Sequence, residues 1–248
     1  MTASNIYESP RLLDEYLLFH FAEENEIFPA NGIGYPTAMR DATGFTERTV
    51  GHFKQSPVER GLDLGCAVGA STFAMARHCA KVIGIDYSHA FIHAADQLQQ
   101  GRQIRYRRND EGHHFTELTA AAPNAEARSR CTFEQGDALN LRDDLGSFDR
   151  VHAANLLCRL NRPVELLKQL PSLVKPGGEL ILATPCTWLG EFTPPEQWPV
   201  GKTAEWLTEN LQNHFSLVKS THEPFLIRET ARKFQWSSSL VTVWEKIS

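Results

Sequence analysis

The sequence contains no apolar run long enough to cross a bilayer, which argues against a membrane-spanning helix. It lacks a basic segment ahead of an apolar one at its N-terminus, and Asp14 and Glu15 interrupt the apolar stretch Leu12 to Phe21. A secretory signal is therefore not expected. No C-x-x-C pair is present: the five cysteines (Cys66, Cys79, Cys131, Cys158 and Cys186) are scattered and odd in number. That pattern excludes a disulfide framework and predicts a reduced, cytoplasmic protein. Basic charge is also short. A net charge of −5 speaks against a general nucleic-acid footprint, and the one cluster, Arg102, Arg105, Arg107 and Arg108, reads as a solvated face. His113-His114 has no carboxylate or cysteine at ligand spacing, so no metal site is expected. The glycine pattern of dinucleotide-binding folds, Gly-x-Gly-x-x-Gly, is missing too, which counts against a nicotinamide dehydrogenase.

The 248 residues, 42% apolar and 22% charged, suit one α/β domain with a sizeable core. Its organising stretch is Gly61-Leu-Asp-Leu-Gly-Cys-Ala-Val-Gly69, a short apolar strand running into a glycine turn and then a helix. Gly65 and Gly69 permit a tight turn and the close approach of a ligand, and the helix that follows opens with free N–H groups. Val82 to Asp86 reads as a buried parallel strand ending in an acid. Asp86 lies about 20 residues beyond the turn, where an acidic side chain bonds a ribose hydroxyl in such units. Further strand ends fall at Gly136-Asp137-Ala138 and at Ala154-Asn155, and ligands of open α/β sheets bind outside those ends.

Around this core, Ser9 and Pro10 predict the start of a helix carrying Leu12, Leu13, Tyr16, Leu17 and His20 on one face. Asn31 to Tyr35 reads as a turn and Thr37 to Lys54 as an irregular helical stretch. Ser88 is available to cap a helix over Ala90 to Leu98, while residues 101–130 read as a variable loop or an inserted pair of short elements. A helix from Val164 should break at Pro171. Lys175-Pro176-Gly177-Gly178 turns into a strand from Glu179 to Thr184, and Cys186 to Trp198, rich in proline and aromatics, forms either a substrate lid or a structural loop. A helix from Thr203 and two strands, Leu217 to Arg228 and Phe234 to Trp244, close the chain.

The series Asp63-Leu64-Gly65, Asp86, Gly136-Asp137 and Asn155 resembles the class I S-adenosylmethionine (SAM) methyltransferases. The resemblance implies a Rossmann-like α/β sheet with helices on both faces and a C-terminal antiparallel hairpin. It places SAM, with S-adenosylhomocysteine (SAH) as product and no metal, at Asp63, Gly65, Cys66, Gly69, Asp86, Tyr87, Ser88, Gly136, Asp137, Ala138 and Ala154. Residues 1–55 would form a helical cap over the substrate site, and 56–248 a core with a loop at 185–202.

The flanking segments are more specific. Tyr7-Glu8-Ser9, Arg11 to Leu13, Glu15 to His20, Ala154 to Leu160, Thr187-Trp188-Leu189, Glu191 to Pro194, Pro224 to Glu229 and Ala231 to Ser237 together resemble the 5-thiohistidine methyltransferases of ovothiol biosynthesis. That likeness implies a small amino-acid substrate, with Asn155, Tyr7, Tyr16 and His20 orienting its imidazole. Arg228, or failing it Arg159, would take the carboxylate, with Trp188, Phe192 and Trp236 as walls. It also implies a free-standing enzyme supplied by a separate iron sulfoxide synthase. Three readings compete: methylation of another small amino acid or amine, methylation of nucleic-acid adenine, and SAM binding without catalysis. The adenine reading wants Asn/Asp-Pro-Pro-aromatic where this chain has Asn155-Leu156-Leu157-Cys158.

Overall fold

A computed structural model of the chain describes residues 6–247. Residues 1–5 and 248, which the single-domain reading includes, lie outside that range. Four helices come first: α1 (Pro10–Phe21), α2 (Glu24–Ile27), α3 (Thr37–Arg40) and α4 (Phe45–Val50). Strand β1 (Val58–Leu64), α5 (Ala70–Met75), β2 (Cys79–Asp86) and α6 (His89–Gln99) follow. A separate hairpin, β3 (Ile104–Glu111) and β4 (His114–Ala120), leads to α7 (Ala125–Ser129) and β5 (Cys131–Gln135). The chain ends with β6 (Phe148–Ala154), α8 (Pro163–Leu173), β7 (Val174–Thr184), α9 (Thr203–Leu211), β8 (Phe215–Arg228) and β9 (Phe234–Lys246).

The main sheet has the order β5-β2-β1-β6-β7-β9-β8. The pairs among the first five strands are parallel, and β9 pairs antiparallel with both β7 and β8. The chain moves outward from β1 to β2 and β5 on one side and to β6 and β7 on the other. That reversal opens a crevice at the carboxyl ends of β1 and β6, where open α/β sheets hold ligands. Both faces are covered. Leu17, Phe45, Phe73 and Phe91 pack on one side, and Leu166, Leu170, Leu207 and Trp244 on the other.

Local chemistry explains most boundaries. The Ser9 hydroxyl accepts from Leu12 N at 3.2 Å, with Pro10 opening α1. Pro171 does not break α8, contrary to expectation: it sits in the last turn, its φ is already helical, and a single missing N–H there is outweighed by buried Leu166, Leu167, Leu170 and Leu173. Strand β7 begins at Val174, and the Lys-Pro-Gly-Gly segment bulges out between the pairs Phe148–Val174 and Arg150–Glu179. Residues 101–130 resolve into the inserted β3–β4 hairpin and α7.

The hairpin β8–β9 reaches past the sheet. Strand β7 ends at Thr184 opposite Leu240, while β8 and β9 continue pairing from Glu223–Ser239 to Arg228–Phe234. The overhang lies at the carboxyl edge and meets α1, α2 and the β3–β4 hairpin. Arg108 is buried rather than solvated and forks onto Asp110 (2.9 and 3.2 Å) and Thr116 (2.8 Å). Arg228 reaches the same Asp110 at 2.6 Å and also donates to the Ile27 carbonyl. Tyr35 donates to the Ala231 carbonyl, and Ala231 N to the Asp110 carbonyl. Three sequence-distant segments are thus tied through one carboxylate.

Candidate cofactor and substrate site

Asp63 closes β1, is 1% exposed, and accepts from the Ser71 and Thr72 hydroxyls at 2.7 Å each and from His152 Nδ1 at 2.8 Å. His152 Nε2 contacts Thr49 Oγ1 at 3.1 Å. Burial alone would raise the Asp63 carboxyl, but the His152 hydrogen bond and charge, with the two hydroxyls, hold it below the usual carboxylate range. Asp63 is therefore not placed to touch a ligand: its lone pairs brace the first turn of α5. Gly65 (φ 71°) and Gly69 (φ 95°) do adopt the conformation that favours glycine. A Cβ at Gly69 would lie 2.7 Å from Phe133 and one at Gly65 3.2 Å from Leu156, so protein side chains crowd both glycines on their Cβ side. Cys66 is spent as well, its N–H on Ile85 and its carbonyl on Gly69; burial pushes its thiol up.

Asp86 is different. Its Oδ2 accepts from Ala67 N and its Oδ1 from Ser88 N, both at 2.9 Å, and Asp86 is mostly buried at the tip of β2. Each oxygen keeps a further lone pair, which fits the two hydroxyls of a ribose. Burial pushes this carboxyl up to about 6, against the lowering effect of the two backbone N–H groups. Nearby, Ser88 caps α6 through Phe91 N (3.2 Å) and donates to the Tyr7 carbonyl (3.0 Å). Tyr87 is 61% exposed beside it. Gly136 N donates to the Asp86 carbonyl at 2.9 Å, bringing the end of β5 alongside. Asp137 Oδ1 accepts from Leu139 N at 2.8 Å, and Ala138 is buried behind it. A SAM-binding set should weaken when Asp86 is protonated. We expect SAM affinity to fall as pH drops through about 6, and Asp86→Asn to be weaker by about 1.5–3 kcal/mol at neutral pH and to flatten the profile. Calorimetry across pH 5–8 checks it; a wild-type-like profile in the variant removes Asp86 from the site.

The N-terminal segment brings an aromatic cluster to this edge, tied to it by the bond from Ser88 to the Tyr7 carbonyl. Tyr7 packs edge-on to Tyr16 (6.2 Å) and near Phe91 (5.9 Å), and Tyr16 lies 4.8 Å from Phe91. Burial raises the Tyr7 hydroxyl while a hydrogen bond from Arg159 lowers it; Cys158 and Asp86 also act on it. Tyr16 is raised by burial, with Tyr7, Asp86 and Arg159 as neighbours. Tyr7 and Tyr16 therefore lie within electrostatic reach of both Asp86 and Arg159. His20 is pushed down to about 4 by burial, Asp63 opposing. The neutral ring accepts from Ala70 N at 3.4 Å through Nδ1, over the start of α5.

Of the two candidate arginines, Arg228 is bound to Asp110 and Ile27. Arg159 lies 4.7 Å over the Phe192 ring and, besides its hydrogen bond to Tyr7, donates to the Cys158 and Thr187 carbonyls and the Cys158 sulfur. Among the described residues no carboxylate pairs with it. The Cys186–Trp198 loop is anchored: Trp188 Nε1 donates to Thr203 Oγ1 at 3.0 Å, and Trp198 Nε1 to Thr193 O at 2.7 Å. The Thr193 hydroxyl in turn donates to Leu160 O at 2.7 Å. Trp236 is 53% exposed with its indole on the Ala38 carbonyl, so it faces α3 and not Arg159. Ala154 ends β6, and Ala67, Asn155 and Cys186 hold left-handed φ of 48°, 55° and 55° at the ends of β1, β6 and β7. Such strain gathers at ligand sites. His152, Thr49, Asp110 and Ser239 were not singled out from the sequence; a histidine inside an otherwise apolar strand was the one available signal. Among the described residues no group of three or more His, Cys, Asp or Glu stands together as a metal site would require.

Strand order, glycine turn and acidic strand ends define a Rossmann-like, class I methyltransferase fold. Residues 62–182 match the family model described as a methyltransferase domain. The chain is 28% identical over 158 residues to a tRNA U34 carboxymethyltransferase of Pseudoalteromonas translucida, covering 63% of this chain and 41% of that protein. It is 30% identical over 127 residues to a ubiquinone biosynthesis O-methyltransferase of Xanthomonas euvesicatoria, covering 50% and 42%. The chain thus spans less than half the length of these curated relatives. Among solved structures, the N-methyltransferase NodS of Bradyrhizobium japonicum in complex with SAH superposes with a TM-score of 0.55 at 17% identity. That match covers 95% of this chain and 99% of NodS.

Proposed function

We propose that the protein is a SAM-dependent N-methyltransferase that methylates the imidazole nitrogen next to the side chain of 5-thiohistidine, giving ovothiol A and SAH. The observation that carries this reading is the packing of Tyr7 against Tyr16 and Phe91, with the Tyr7 carbonyl bonded to Ser88 two positions beyond Asp86 and Arg159 within electrostatic reach of both tyrosines. Tyr7 and Tyr16 lie outside the matched methyltransferase domain and belong to the segments that carry the finer resemblance. When bound, SAM supplies a methyl group on a sulfonium. The chain's part is positioning. Asp86 and Asp137 hold the nucleoside, Arg159 takes the substrate carboxylate, and the Tyr7–Tyr16–Phe91 wall excludes water.

With the substrate sulfur as thiolate, the ring nitrogen attacks with a free lone pair and no proton has to leave. A general base is then unnecessary, in keeping with a His20 that is neutral and engaged with Ala70. The substrate would come from a separate 5-thiohistidine-producing sulfoxide synthase. A reduced, cytoplasmic setting belongs to the same proposal, since all five cysteines are free and the substrate is a thiol. Mass spectrometry and NMR of products from SAM with 5-thiohistidine, histidine and histidine thioethers test it. One methyl on the ring nitrogen of 5-thiohistidine is expected. Turnover of another amino acid or amine in preference would overturn the substrate, and SAM binding with no methyl consumed would overturn catalysis.

A further inference from the structure

Asn155 is held at three points. Its φ of 55° is one that few residues other than glycine adopt, asparagine among them. Its N–H donates to the Ala183 carbonyl at 2.8 Å. Its Oδ1 lies 2.7 Å from the hydroxyl of Ser239, a fully buried residue of β9 beside Leu240, which pairs with the last residue of β7. Among the described residues no acceptor takes the Asn155 Nδ2–H groups. A serine hydroxyl has one hydrogen, and giving it to Oδ1 turns the amide oxygen toward Ser239 and its N–H groups away from it. An unrestrained amide could turn over and present either end.

We propose that Ser239 is a positioning residue which fixes Asn155 as a hydrogen-bond donor toward the methyl acceptor and thereby sets specificity. The inference rests on the 5-thiohistidine reading. Both rings carry N–H on the nitrogen that is not methylated, and they differ at the ring carbon: histidine has a C–H there, which leaves the Asn155 donor unmatched, whereas 5-thiohistidine presents a thiolate acceptor to it. Mismatched polar groups in a closed site discriminate more strongly than apolar fit does.

The test compares wild type, Ser239→Ala, Ser239→Thr and Asn155→Ala. Ser239→Ala should lower kcat for 5-thiohistidine by about tenfold, the scale of one hydrogen bond, and narrow the preference for 5-thiohistidine over histidine. Its SAM affinity should stay within about twofold of wild type, because the Ser239 hydroxyl is bonded to Asn155; Ser239→Thr should restore rate and preference. The double variant Ser239→Ala/Asn155→Ala should be no worse than Asn155→Ala alone. A Ser239→Ala enzyme that is less stable but keeps its kcat and preference would show a structural hydroxyl and overturn the proposal. If wild type methylates neither ring, the functional reading has failed. The Asn155 side-chain amide signals in 1H–15N spectra of the SAH complex then decide the positioning, shifted in Ser239→Ala if it holds and unmoved if it does not.

Discussion

Replacing His152 by alanine is expected to cost about 3–5 kcal/mol of folding stability, the penalty for stranding one partner of a buried pair. Asp63 and His152 are each 1% exposed, so water cannot take over the lost hydrogen bond. The Ser71 and Thr72 hydroxyls would remain on Oδ2, leaving Oδ1 with a charge and no donor. The damage should not stay local. His152 joins Thr49 of α4 to Asp63, and Asp63 joins β1 to the first turn of α5, so helical cap and cofactor turn loosen together. Urea unfolding of His152→Ala, with SAH titrated into the folded variant, checks both effects. A stability loss under about 1 kcal/mol would mean the pair is dispensable, since that is no more than an ordinary hydrogen bond contributes.

The two acids of the site pull stability in opposite directions with pH. Asp63 is lowered in the folded protein, so its contribution is present above the unfolded carboxylate range and is lost as pH falls through the folded value. Asp86 is raised from 3.8 to about 6. The folded state therefore binds its proton more tightly, and stability falls as pH rises from 3.8 to about 6. Asp63 is satisfied by its fold, whereas Asp86 is held at a cost that a ribose donor can offset. That contrast separates a bracing carboxylate from a binding one, although both end a strand next to the same turn.

Much of the sheet could be read in advance because β1, β2 and β6 hold short apolar runs with Asp63, Asp86 and Asn155 at or next to their carboxyl ends, and Gly136-Asp137 follows β5. Helix α1 could be read from its cap and its apolar stripe. Side-chain commitments could not be, because they depend on pairs far apart in the chain. Arg228 looked like a free cation in an aromatic segment, yet its partner Asp110 lies 118 positions away, in a stretch that reads as a variable loop or an inserted pair of short elements. Arg108 looked solvated because its neighbours Arg105 and Arg107 are. Alternation along β3 turns those two outward and Arg108 inward. Trp236 is aromatic in a site-like segment but packs against α3, a contact no periodicity encodes. Ser239 escaped notice inside a Trp-Ser-Ser-Ser run, where nothing local marks which hydroxyl faces the crevice.

Arg159→Ala is expected to lower kcat/KM for 5-thiohistidine by roughly two orders of magnitude, equivalent to about 3 kcal/mol for losing a charge-assisted contact. Arg159 is chosen over Arg228 on the charges each already meets. Arg228 shares Asp110 with Arg108, and burial together with the Arg108 charge lowers its guanidinium, so a substrate carboxylate would have to displace Asp110 from it. Arg159 is stacked on Phe192 and turned by carbonyls, with no carboxylate to lose, and Tyr7 and Tyr16 both feel its charge. The effect should fall mainly on KM, with SAM affinity unchanged. Arg159→Lys should recover only part, because an ammonium cannot fork onto a carboxylate. Arg228→Leu should act the other way, lowering stability by freeing Asp110 and loosening the cap while the folded fraction keeps most of its KM. If Arg159→Ala turns over 5-thiohistidine at the wild-type kcat/KM and Arg228→Leu raises KM in a stable protein, the carboxylate belongs on Arg228. If neither substitution changes KM, the acceptor is not an amino acid bound through its carboxylate.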